Sequence, residues 1–266
     1  MNEEPMAEPV PGPSGTQAGD GQAPMSEAAR ATNIFLSPGE TFEDINRKPT
    51  WIVPLVISLI FTLGFSFFFR SRVMTDEVIE QITRQKLEQA FERRGGTRPP
   101  EDVIQQQIRM IRKVNQFWYV SAVVGLLLLL MIVSGAYFLI LVLMQANARF
   151  KKVFSVVSWS WMPQSVIGNI AGLITVLLRA PDTIDPNNPI ATNLAAALSR
   201  TETPPFLYAI AGSLDVFSIW FLILLMIGVS KMSKKVSIGK AAAIVFGVWV
   251  IYVLCKAGFA SFQGGM

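Results

Sequence analysis

Asp215 and Lys256 are the only charged residues inside the five long apolar stretches of this 266-residue chain. An ionisable group at the centre of a bilayer costs at least about 2.5–3.5 kcal/mol, so each of the two needs a partner or a task. A carboxylate and an ammonium at one depth pair with each other, or they line a path for an ion or a substrate. The third stretch adds two amides, Gln164 and Asn169. Beside them, Pro163 removes one backbone hydrogen bond and predicts a kink. Gly168 and Gly172 have the GxxxG spacing that lets a second helix approach closely. That face is expected to be buried in a helix bundle or to mediate self-association.

The chain offers little to catalysis. It has no His, which rules out a Ser/His/Asp triad. Its one Cys, Cys255, cannot form a disulfide within the chain, and no Cys/His metal site can be assembled. Cys255 sits in an apolar run and reads as a small packing residue. Asp182 and Asp185 lack the Gly and terminal Glu of a calcium loop, so they read as an exposed turn. No glycine-rich phosphate loop is present. The reading is therefore no enzyme, no metal and no cofactor.

The elements that must position these residues are membrane spans. The apolar runs cover 51–69, 118–144, 153–178, 206–229 and 241–262. Each approaches or exceeds the ~20 residues that a helix needs to cross a hydrocarbon core about 30 Å thick. The fold class is all-α, a polytopic membrane protein with five transmembrane helices in a domain over 33–262. The basic residues flank the spans, where anionic headgroups account for them, so the pI of 9.3 does not imply nucleic acid. The partner implied directly is the lipid bilayer.

Residues 1–32 are rich in Pro, Gly, Ala, Glu and Gln and predict a disordered cytosolic tail. They lack the basic start and apolar core of a cleavable signal, so the first span is expected to direct insertion. After the tail, Ser37 and Glu40 have the spacing of a capping box, with Pro38 at the first helical position. This predicts a short helix in the membrane interface, anchored by Phe35, Phe42 and Ile45. Residues 70–116 carry ten basic and seven acidic side chains and predict an extramembrane helical hairpin. Its second arm is expected to run into span two as one long helix. Residues 191–198 predict a further short helix.

The short connections after spans two and four hold seven basic residues and favour a cytosolic N-terminus with the C-terminus opposite. At ~1.5 Å per residue, Asn169, Asp215 and Lys256 then lie within about 15 Å of the same membrane face. The expectation is that Asp215 and Lys256 pair, or share a polar cluster with Asn169. Such a cluster would either fix helix register or line a conduction path.

Several motifs occur in a familiar order. Leu36-Ser37-Pro38-Gly39-Glu40-Thr41-Phe42 precedes Trp51-x-x-Pro54. Pro163-Gln164 follows, then Leu214-Asp215-Val216-Phe217-Ser218-Ile219-Trp220 leading into Leu224-Leu225-Met226-Ile227-Gly228-Val229. Over residues 33–262 the chain resembles the bacterial branch of the Yip (Ypt-interacting protein) domain family. The resemblance implies a five-helix integral membrane domain with a cytosolic N-terminus. Eukaryotic relatives act in vesicle trafficking and bind prenylated small GTPases, but their Asp-Leu-Tyr-Gly-Pro signature is not found here. For this chain the resemblance implies a plasma-membrane scaffold or trafficking-like factor that binds protein partners. The polar cluster implies a transporter or permease component as the alternative.

Overall fold

The computed structural model describes residues 23–93, 100–184, 188–199 and 202–265. Among the described residues all regular elements are helical. Four helices are long and apolar enough to cross a membrane: α3 (Ile52–Arg72), α6 (Trp118–Leu143), α7 (Phe150–Leu178) and α10 (Ile238–Gly265). The fifth span is assembled from two pieces, α8 (Pro205–Ala211) and α9 (Val216–Met232). The protein is thus a polytopic membrane protein of about five spans. Large apolar side chains such as Ile60, Ile132, Leu139, Ile251 and Phe259 are exposed on the span surfaces. In water such a surface would be a liability; in a bilayer it faces hydrocarbon.

α7 is the central element. It packs on α3, α6 and α9, and its first half from Val153 to Ser160 is buried on all sides. A helix that is apolar all round is what such a position requires. α7 runs unbroken through the buried Pro163. Gly172 lies so close to α3 that an added Cβ would come within 2.7 Å of Phe65, and Gly168 faces Phe217 of α9. The GxxxG face is therefore used inside the chain.

α1 (Glu27–Leu36) and α2 (Pro38–Arg47) form a tight helical hairpin at one end of the bundle, here called the near end. Helix α1 begins inside the stretch expected to be a disordered tail, because Ser26 caps it by accepting from the Ala29 N–H. Residues 1–22 of that expected tail lie outside the described residues. α2 starts at Pro38 as anticipated, but the capping box does not form. Ser37 is held in the turn by donating its N–H to Asn33 O, and its side chain makes no capping bond to the helix that Pro38 begins.

The hairpin also does not lie flat on the membrane. Phe35 at its tip stacks against Trp220, whereas Glu43 and Asn46 at the other end of α2 bond Lys231. Trp220 and Lys231 are separated by eleven residues of α9, or about 16 Å of rise. The hairpin therefore stands alongside most of α9. Phe42 and Ile45 are completely buried in the core rather than anchored in lipid, and the hairpin's most exposed large apolar residue is Leu36, 80% exposed at the tip.

At the far end, α4 (Asp76–Arg93) and α5 (Glu101–Gln116) form the expected charged hairpin. Ile79 and Thr83 of α4 and Ile104 and Ile108 of α5 are its buried residues. Arg84 bonds Glu101 at 2.8 Å and Arg112 bonds Glu80 at 2.8 Å across the gap. The Glu101 partner holds the Arg84 pKa above its usual value. Glu77, in the first turn of α4, is held below the usual carboxylate range by a backbone hydrogen bond and then by Thr75. Gly95 and Gly96, between the arms, lie outside the described residues. α5 and α6 do not form one helix. Phe117 separates them, its N–H turning back to Val114 in a tighter i−3 bond.

Candidate functional site: a broken span beside a polar groove

The apolar run 206–229 hides a helix break. α8 ends at Ala211 and α9 begins at Val216, so Gly212, Ser213, Leu214 and Asp215 have left the helix. The break is deep. α7 and α9 run antiparallel, with Gly228 against Val156 and Phe217 against Gly168. Asn169 is nine residues from the far end of α7 at Leu178, so this level lies about 14 Å inside the span. Irregular backbone survives at such depth only where protein or a cavity satisfies it.

The broken segment is satisfied in detail. Asp215 is the N-cap of α9, and its Oδ2 accepts from the Ser218 N–H at 2.9 Å and the Ser218 hydroxyl at 3.2 Å. Its Oδ1 accepts from Thr192. Thr192 belongs to the connection after α7, which folds back so that the Leu194 N–H donates to Leu214 O at 3.2 Å. Ala191 takes φ 52° in that return. The helix expected over 191–198 is a single 3-10 turn, Leu194–Ala197. On the other side of the break, the Lys256 ammonium donates to Ser213 Oγ at 3.0 Å, and Ser213 Oγ donates to Ala209 O at 2.8 Å.

Asp215 and Lys256 therefore do not form the expected ion pair. Each serves the same break with separate partners: Asp215 caps the helix that follows it, and Lys256 holds the turn that precedes it. Nor does Asn169 bond to either. Its amide nitrogen donates to Ser165 O at 2.6 Å and lies 3.5 Å from Thr62 Oγ1, tying α7 to α3. Cys255, expected to pack inside, is exposed on α10 because Val253 and Ala257 take the buried positions on either side.

Asn169, Gln164 and Asp215 nevertheless meet across space. They line one cavity of about 560 Å³ with Thr192, Ser218 and Trp161, between α6, α7 and the break. Gln164 also lines a second, mainly apolar cavity of about 460 Å³ between α6, α9 and α10. Both volumes fall within the roughly 300–1,000 Å³ of small-molecule sites. Leu129, Trp161, Gln164 and Ser218 line both cavities, which lie side by side as two halves of a groove along these residues.

A profile of the Yip1 domain matches residues 32–259. The chain belongs to the Yip1 domain family. The match runs from the α1–α2 hairpin through α10 and so takes in the break, its partners and the groove. No curated protein and no solved structure matches the chain. The family places this Yip1 domain in the membrane; the residues that organise it are read from the geometry.

Two clusters escaped the sequence reading. One is Gly228, which lets Phe42 of α2 and Val156 of α7 meet at α9. The other is a buried network around Arg30. Its Nε donates to Asp44 at 2.7 Å, and its Nη1 donates to Thr50 at 2.6 Å and Glu27 at 3.2 Å. Thr50 O in turn accepts from Trp159 Nε1 at 2.9 Å. The signal in the sequence was Ser26-Glu27 three residues before an Arg in an otherwise uncharged helix.

The separate partners of Asp215 and Lys256 give an additive prediction. Asp215→Ala should cost about 1–2 kcal/mol for the lost cap, and Lys256→Met should cost less. The double variant should equal their sum within about 0.5 kcal/mol, measured by denaturant titration in mixed micelles. A coupling of 2 kcal/mol would instead reveal a direct pair.

Proposed function

We propose that this Yip1-domain protein is a non-enzymatic scaffold of a bacterial inner membrane, with a cytosolic N-terminus and the C-terminus opposite. In that orientation the α4–α5 hairpin projects from the non-cytosolic face and is the element that holds a protein partner. The observation that carries the reading is the hairpin's independence. Its arms pack on each other and are tied by their own ion pairs, and among the described residues they make no extensive contact with the spans. Met110 and Val114 of α5, and Phe117 just after it, remain exposed. A charged arm with an apolar edge suits a protein surface.

The test is crosslinking of the tagged protein in native membranes. Ile104→Asp splits the arm at its buried seam and should abolish specific crosslinks while leaving span unfolding unchanged. Crosslinks that survive in a split arm would remove the hairpin from the scaffold role.

A second reading, a permease component, is favoured by the groove that reaches Asp215, Asn169 and Gln164 at a discontinuous span. Broken helices at mid-membrane recur where transporters hold substrates. Saturable uptake by proteoliposomes that is lost in Gln164→Leu would support this reading over a pure scaffold.

A further inference from the structure

The groove beside the broken span has two chemically distinct halves. Its apolar half is lined by Val133, Ala136, Phe221, Leu222, Val248 and Trp249 from α6, α9 and α10. Ile132 and Tyr252 at its rim are exposed, so this half opens toward the bilayer. The Tyr137 hydroxyl closes one side by donating to Val245 O at 3.3 Å. A gap between spans in hydrocarbon takes an alkyl chain, since neither water nor a polar solute is stable there.

The other half is hydrogen-bonding. Gln164 sits where the halves join and makes no hydrogen bond among the described residues, so its amide offers both a donor and an acceptor. Asn169, Thr192 and Ser218 surround Asp215 beyond it. The charge balance is decisive. Among the described lining residues there is one carboxylate and no cation; Lys256 is turned to Ser213 and lines neither cavity. A phosphate or carboxylate head placed there would face Asp215 without a compensating charge, an arrangement that selects against it. A hydroxyl-bearing uncharged head meets donors and acceptors at no such cost.

We infer that this groove binds a membrane amphiphile, with one alkyl chain between α6 and α9–α10 and an uncharged, hydroxyl-bearing head at Gln164 and Asp215. The site is independent of the α4–α5 arm, so either proposal can fail without the other. Ala136 and Trp249 bound the chain slot, and Gln164 marks its polar end.

Native mass spectrometry of the delipidated full chain tests this with two probes that share an oleoyl chain: monooleoylglycerol and oleoyl lysophosphatidic acid. The expected result is one saturable adduct with the glycerol ester, at least tenfold weaker with the phosphate. Gln164→Leu should weaken the neutral adduct about tenfold, and Ala136→Trp should abolish it by filling the chain slot. Thermal unfolding checks that each variant folds; if Ala136→Trp does not, Gln164→Leu with Ala136→Val carries the test. No saturable adduct, equal binding of the phosphate, or adducts indifferent to the folded variants would each overturn the assignment.

Discussion

Asp44→Ala should be among the most damaging single substitutions in the protein, costing about 3–5 kcal/mol. Arg30 is completely buried and Asp44 nearly so, and their 2.7 Å contact links α1 to α2. Removing the carboxylate leaves a buried guanidinium with no counter-charge among the described residues beyond the more exposed Glu27. The Met25 N–H would also lose its acceptor, Asp44 Oδ1. Among the described residues, Arg30 Nη2 is buried without a hydrogen-bond partner. That favours a sharp asymmetry: a double variant Arg30→Met with Asp44→Leu should recover most of the loss, because two apolar side chains of similar volume carry no desolvation cost. Thermal unfolding in one detergent, with limited proteolysis after residue 25, measures both effects. If Asp44→Ala unfolded within a degree of the parent, the hairpin's attachment would rest on apolar packing alone.

The network matters because of where it leads. Thr50 joins Arg30 to Trp159, so a single cluster ties the α1–α2 hairpin, the start of α3 and the middle of α7. None of this was readable as a unit. Arg30 and Asp44 are fourteen residues apart and fall in segments whose compositions read as tail and surface helix. Their burial is decided by tertiary contacts, with Ile34, Phe42 and Ile45 inserted into the core on the same side. By contrast, the spans were legible because a bilayer demands long apolar runs whatever packs against them. Spans one, two, three and five appear within a few residues of the expected bounds.

Span four shows where that logic stops. Hydropathy averages over a window, and Gly212-Ser213-Leu214-Asp215 is too short to interrupt it. The local chemistry was present: Asp215 with Ser218 is an N-cap pattern, and Pro204-Pro205 marks a fresh helical start. Read as capping rather than as charge, Asp215 would have announced a new helix. The same residue was singled out for its cost in the membrane, and the structure shows why the cost is met: it is spent on a helix start, a returning loop and one wall of the groove.

Gly228→Leu should detach the α1–α2 hairpin from the bundle. A Cβ at Gly228 would lie 2.5 Å from Val156 Cγ1, closer than real contacts allow, and a tight 3.0 Å from the ring of Phe42. Even Gly228→Ala requires both side chains to move, at about 1–3 kcal/mol for overpacking; leucine has nowhere to go between α2, α7 and α9. Helix propensity argues the other way, since Ala is about 1 kcal/mol better than Gly in a helix. Gly247 in α10 isolates that term. Nothing lies within 4 Å of its added Cβ, so Gly247→Ala should be neutral or slightly stabilising. A partial rescue of Gly228→Ala by Val156→Ala, which removes the nearer methyl, would assign the loss to the α7–α9 contact. Rescue by Phe42→Leu instead would assign it to α2. Equal behaviour of Gly228→Ala and Gly247→Ala would show that the three helices do not meet tightly at Gly228. Protease sensitivity between residues 25 and 50 separates a detached hairpin from a globally weakened bundle, because the spans remain protected in the first case and not in the second.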